Sequence, residues 1–221
     1  MSKKSHQEFA VIGLGRFGHS LAIALETHGH TVMAIDIDLQ RVQAVVDEVT
    51  HTAALDATDE DALRTVEIAA FDTVIVAIGG DFEANILTTT NLKKLGVRRI
   101  ICKTLTNRQS EILLRLGADK AIQPEHNSAR RLAEELSTPA MIEYFGLGNN
   151  YSVAEIILPG CLAWQSLAQS NIRNIYHVTI LLIKRGDEVH ISPRADTILQ
   201  QGDILIVFGK NQDINDFSCL P

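Results

Sequence analysis

The octapeptide V-I-G-L-G-R-F-G, Val11 to Gly18, constrains this chain more than any other stretch. Its three glycines have the spacing G-x-G-x-x-G. They follow a short β-rich run, F-A-V-I (9–12), and open a helix-length segment, 16–28. In that setting each glycine has its own task. Gly13 permits a tight turn, Gly15 lets the backbone come close to a phosphate, and Gly18 lets helix and strand pack closely. The N–H groups at the helix start are then offered to an anion. Alone, the motif is a weak signal, since glycines in a strand-to-helix turn also serve packing. The rest of the chain has to supply the context.

It does so by alternating two periods. β-Rich runs come at 9–12, 31–35, 73–78 and 99–103, with weaker ones at 51–55 and 120–122. Helix-length segments lie between them, with apolar residues at i, i+3, i+4, such as Leu21, Ala24, Leu25 and Leu87, Leu92, Leu95. Four of the runs are apolar throughout, as strands covered on both faces should be. Strand, helix, strand at this spacing predicts right-handed βαβ units and a Rossmann-like, doubly wound parallel sheet of the α/β class. Asp59-Glu60-Asp61 supplies acids to a first helical turn, and Gly29, Gly96 and Gly117 fall where left-handed caps are wanted.

After Thr138-Pro139 the pattern changes. Gly146 to Asn150 (G-L-G-N-N) reads as linker, and β-rich runs follow at 152–158, 177–184, 188–191 and 203–209, with a short helical pattern around 163–172. The expected organisation is a first domain over 1–140, a linker over 141–150 and a small α+β domain over 151–221.

Composition then removes whole classes. A net charge of −7 argues against a general nucleic-acid binder. Three cysteines, Cys102, Cys161 and Cys219, are far apart and odd in number, so neither a disulfide framework nor a zinc site is expected and a reducing cytoplasm fits. The apolar run near the start is too short for a signal peptide, and no run of 18 apolar residues exists to span a membrane. No acid–base or nucleophile motif appears, which disfavours an enzyme.

The candidate site follows from strand ends. Asp36 lies 18 residues beyond Gly18, at the end of the second strand. It is placed to accept hydrogen bonds from ribose hydroxyls and to repel a 2′-phosphate. Arg16 is either a solvated arginine or a contact to a phosphate, since a cation there opposes the helix dipole. Asp56 is either a helix cap or an acceptor for an adenine amino group. Ala77 to Gly80 (A-I-G-G) end the fourth strand in small residues that leave room, and Lys103 ends the fifth on the same edge. Glu125 is either a first-turn acid or a ligand for a cation that bridges phosphates.

These residues also carry a family resemblance. V-I-G-L-G-R-F-G, G-H-T-V-M-A-I-D-I-D, D-A-T-D-E, V-I-V-A-I-G, C-K and G-A-D-K-A-I-Q-P-E together resemble the RCK (KTN, or TrkA-N) domain. The tail S-N-I-R … S-P-R-A-D-T-I-L-Q-Q-G-D-I-L-I-V-F-G is similar to the RCK C-terminal (TrkA-C) domain. One such pair without a membrane segment is the arrangement of cytosolic regulators of Ktr-type potassium transporters.

The resemblance implies an octameric ring of dimers, peripheral to the inner face of the membrane beneath a potassium-translocating subunit. ATP and ADP would hold the ring in different shapes. It implies that Gly13, Gly15 and Gly18 cradle phosphates, that Asp36 meets the ribose, and that Asp56 and Ala57 lie near the base. Arg16 and Lys103 would meet terminal phosphates, and Glu125 a Mg²⁺ or Na⁺. Phe17, Asp38, Ala77, Ile78 and Gly79 complete the implied cofactor set. Cyclic di-AMP is implied near Ile172, Arg173, Val178 and Pro193. An NAD(H)-binding redox sensor and an NAD-dependent oxidoreductase remain as alternatives, because Asp36 permits either ligand.

Overall fold

The computed structural model describes residues 6–137, 141–148 and 150–221. The first part of the chain runs β1 (Glu8–Ile12), α1 (Arg16–Thr27), β2 (Thr31–Asp36), α2 (Leu39–Gln43), β3 (His51–Ala54) and α3 (Glu60–Thr65). It continues through β4 (Thr73–Val76), α4 (Phe82–Lys94), β5 (Ile100–Lys103), α5 (Asn107–Leu116), β6 (Lys120–Ile122) and α6 (Pro124–Ser137). The six strands form one parallel sheet in the order β3-β2-β1-β4-β5-β6. This is the doubly wound arrangement the periodicity predicts. Strand order reverses between β1 and β4, which opens a crevice at their carboxyl ends.

The apolar strand runs have a direct cause. Neighbouring residues of one strand enter different cores. Ile12, Ile35, Val74 and Val76 pack into one core, with Leu63, Leu92 and Leu113 from the helices on that face. Val11, Ala34 and Ile75 pack into the other, with Ala22 and Val42. A fully buried aliphatic side chain contributes about 1.5–3 kcal/mol, so a sheet covered on both sides gains at every position rather than at alternate ones. Gly29, Gly96 and Gly117 have φ of 85°, 81° and 115°, as their expected capping positions require.

The second part runs β7 (Met141–Gly148), β8 (Tyr151–Ile157), α7 (Leu167–Ser170), α8 (Ile172–Ile175), β9 (Thr179–Arg185), β10 (Glu188–Ile191), β11 (Ile204–Lys210) and α9 (Asn211–Ser218). Its strands form an antiparallel sheet in the order β10-β9-β11-β8-β7. Here burial alternates. Ser152, Ala154 and Ile156 of β8 and Leu205 and Val207 of β11 face a core closed by Ile214 and Phe217 of α9.

Two features depart from the sequence expectations. The segment expected as linker over 141–150 is mostly strand β7, paired with β8. Its register is irregular between Met141 and Glu143 and between Gly146 and Gly148, and only the second irregularity falls at its glycines, which do not end the structure. Helix α9 was not expected, because eight residues with only Ile214 and Phe217 on one face give too little periodicity. The chain divides into two compact units between Asn127 and Ser128, within α6.

Candidate functional site: a phosphate-sized turn in an interstrand cleft

The crevice at the β1/β4 switch point is a cleft of about 750 Å³, a size that suits a nucleotide. Its floor is the glycine turn. Gly13 has φ +95°, and a Cβ there would lie 3.1 Å from the backbone of Ala77 and Ile78. A Cβ at Gly18 would overlap the carbonyl oxygen of Gly13, so this position tolerates no side chain without moving the turn. A Cβ at Gly15 would meet nothing within 4 Å. Gly15 therefore faces the open cleft, while Gly18 is buried in the packing behind it and forms no part of the wall.

The helices around the cleft begin differently. Asp38, Asp59, Asp81 and Thr106 each cap their helix by accepting a backbone N–H. α1 begins at Gly15 with no side-chain cap. Its first-turn N–H groups are thus offered to whatever enters, and they carry the positive end of the helix dipole. Asp38 serves as the cap of α2 and is not in the cleft wall. Asp56 does line the cleft. It is not a helix cap, since Asp59 has that role. One of its oxygens accepts from the backbone N–H and hydroxyl of Thr58, at 2.9 and 2.7 Å.

Asp36 is buried at the end of β2. Its two oxygens accept the backbone N–H of Leu14 at 2.6 Å and that of Asp38 at 2.9 Å. The carboxylate so fixes the glycine turn, and each oxygen retains a further lone pair for a ligand hydroxyl. Arg41 of α2 stands 3.5 Å from Asp36 and 3.6 Å from Asp38 and lines the cleft. The sequence reading passed over Arg41, because nothing in an arginine on a short helix signals that it turns back toward the strand end.

On the opposite side, Ala77, Ile78 and Gly79 form the wall beyond β4, and Ala57 is also part of the lining. Asn85 of α4 is buried and donates to the carbonyls of Ile78 and Lys103, both at 2.9 Å. It ties the ends of β4 and β5 together. Lys103 is 11% exposed. Its ammonium lies 5.7 Å from the centre of the Phe17 ring and 3.2 Å from where a Gly79 Cβ would stand. It donates to Glu125 Oε1 at 2.5 Å. The Lys103 hydrogen bond lowers the Glu125 pKa below the ordinary carboxylate range against a smaller opposing effect of burial. A backbone N–H and the charges of Lys103 and Arg16 add to the lowering. Cys102, the residue before, is no nucleophile: burial raises its thiol to about 11.

The cleft thus gathers Gly13, Gly15, Arg16, Phe17, Asp36 and Asp56 from its first half, and Ala77, Ile78, Gly79, Lys103 and Glu125 from its second. Charge is mixed: Arg16, Arg41 and Lys103 against Asp36, Asp56, Asp81, Glu83 and Glu125. Among the described residues no group of three His, Cys, Asp or Glu is placed to hold a metal ion by itself. In the second unit, Ile172, Arg173 and Val178 line one small groove with Asn171 and Ile180, whereas Pro193 is not part of its wall.

A TrkA-N domain model matches residues 9–124 and a TrkA-C domain model residues 153–218. The chain belongs to the TrkA-N/TrkA-C family. Its relatives include the Ktr system potassium uptake protein C of Bacillus subtilis, 42% identical over 96% of both chains. Ktr system potassium uptake protein A of the same organism is 36% identical over 98% of both. The fold is shared with solved structures. The GsuK channel superposes with a TM-score of 0.67 at 17% identity, over all of this chain and 40% of that one. The GsuK RCK domain does so with a TM-score of 0.54 at 25% identity, over 96% of this chain and 45% of that one. Among the described residues no helix is long and apolar enough to cross a membrane.

Proposed function

We propose that this TrkA-N/TrkA-C protein is the nucleotide-binding regulatory subunit of a potassium uptake system, acting from the cytoplasm on a membrane-embedded partner. The observation that carries the potassium assignment is the 42% identity to a Ktr system potassium uptake protein over 96% of both chains. The nucleotide assignment is supported by the uncapped start of α1 beside Gly15, in a cleft deep enough for an adenosine and its phosphates.

In this reading the α1 N–H groups and Gly13 and Gly15 hold the phosphates. Asp36 receives a ribose hydroxyl, and Asp56 and Ala57 border the base. Arg16 and Lys103 contact the terminal phosphates. A Mg²⁺ or Na⁺ bound with the nucleotide would use Glu125 and supply counter-charge to the phosphates. ATP and ADP shift a conformational equilibrium only by their differential affinity for its states, and the γ-phosphate with its cation is the difference the cleft can read. The family resemblance extends this to a ring of dimers and to cyclic di-AMP at the groove of Ile172, Arg173 and Val178.

The test is calorimetric titration of nucleotide-free protein with ATP, ADP, NAD and NADH, with and without Mg²⁺. ATP and ADP are expected to bind at least tenfold more tightly than either dinucleotide. Tight NADH binding with weak ATP binding would overturn the assignment and move it to redox sensing.

A further inference from the structure

The Lys103–Glu125 pair is asymmetric in a way that bears on how the cleft fills. The cation is the buried member: Lys103 is 11% exposed, enclosed by the Phe17 ring, Gly79 and the tie from Asn85 to its own carbonyl. The carboxylate is the exposed member, at 61%. A buried ammonium needs an anion beside it at all times. An exposed carboxylate in the first turn of a helix needs no cation, because water and the helix dipole both favour it. Glu125 is well hydrated once it leaves Lys103, but Lys103 cannot be left alone.

We propose that Glu125 is a placeholder anion: it occupies Lys103 in the empty cleft, and an incoming phosphate displaces it. This rests on the reading of the cleft as a nucleotide site. Binding is then an exchange of anions on one ammonium. Glu125 therefore lowers affinity for a bare polyphosphate. A cation that takes up the released carboxylate removes the penalty. Selection for a cation-loaded nucleotide follows from the competition, in addition to any direct ligation.

The competition predicts a sign that ligation does not. Wild-type protein, Glu125→Gln, Lys103→Met and the double variant are titrated with ADP in excess chelator, so that no divalent cation is present. Glu125→Gln is expected to bind ADP about fivefold more tightly than wild type, the upper range for a half-exposed ion pair. In the Lys103→Met background the same substitution should have a much smaller effect. Thermal unfolding checks that the variants fold. A Glu125→Gln protein that binds ADP no more tightly than wild type in chelator overturns the competition and leaves Glu125 a cation ligand only. An equal gain in the Lys103→Met background also overturns it, because the effect then does not pass through Lys103. Wild-type protein that binds no adenine nucleotide overturns the reading of the cleft itself.

Discussion

Two of the molecule's cation–carboxylate pairs, one in each unit, are built in opposite ways. In the second unit the carboxylate is the buried partner. Asp203 is 1% exposed and accepts two hydrogen bonds from Arg185, both at 2.8 Å, and one from the Gln200 backbone at 2.9 Å. Arg185 also donates to the Ile198 carbonyl. In the first unit the buried partner is Lys103, and its carboxylate makes one contact to it and stands open to water. The pairs teach that separation alone does not define an ion pair's role. A pair whose members are fixed by further bonds holds a fold together. A pair whose exposed member is free to leave marks a place where something else can bind.

Substitutions sharpen that contrast. The largest effect is expected at Asp203→Ala, which strands Arg185 and the Gln200 N–H and should cost about 3–5 kcal/mol, read from urea unfolding. Burial raises the Asp203 pKa, but the Arg185 and Gln200 hydrogen bonds and the Arg185 and His190 charges outweigh it and hold it below the ordinary aspartate range. The stabilisation is therefore complete above the unfolded value and is lost as pH falls through the folded one. If Asp203→Ala unfolded no more easily than Glu125→Gln, the contrast would collapse.

Next come two glycines of one motif. Gly18→Ala forces a methyl onto the Gly13 carbonyl and should cost about 2–3 kcal/mol. Gly15→Ala meets no atom and has φ −65°, ordinary for any residue. It should leave the melting temperature unchanged and weaken ATP and ADP binding. Arg16→Ala, on the exposed start of α1, should likewise leave stability unchanged. It should bind ADP as wild type does and lose the preference for ATP over ADP. An unchanged ratio would remove Arg16 from the γ-phosphate.

How much of this was readable beforehand depended on the kind of signal. The parallel sheet was legible because both faces of its strands are covered, which writes apolar runs into the sequence, and because capping residues and glycines punctuate the helices. The cleft was legible through the strand ends, since every expected phosphate contact apart from Gly18 lies in its wall. Other features besides α9 were not. β7 hid behind Gly146 and Gly148, which look the same in a bulged edge strand and in a linker. Arg41 needs the direction of a side chain, which spacing does not give. The Lys103–Glu125 contact joins residues on β5 and α6 whose neighbourhood exists only once both are placed. Asp38 enters the cofactor set only through the family resemblance; its side chain caps α2, and it is not in the cleft wall.

The bonds from Asp36 to the Leu14 and Asp38 backbones have one more consequence. They fix the glycine turn through bonds within the chain itself. A loop that is already ordered adds no slow step to association and loses little chain entropy on binding. The occupant of the cleft is then set by how long each nucleotide stays, not by how often the loop permits arrival. With the cleft read as a nucleotide site, occupancy depends on each nucleotide's concentration and dwell time, with no delay added by ordering of the loop.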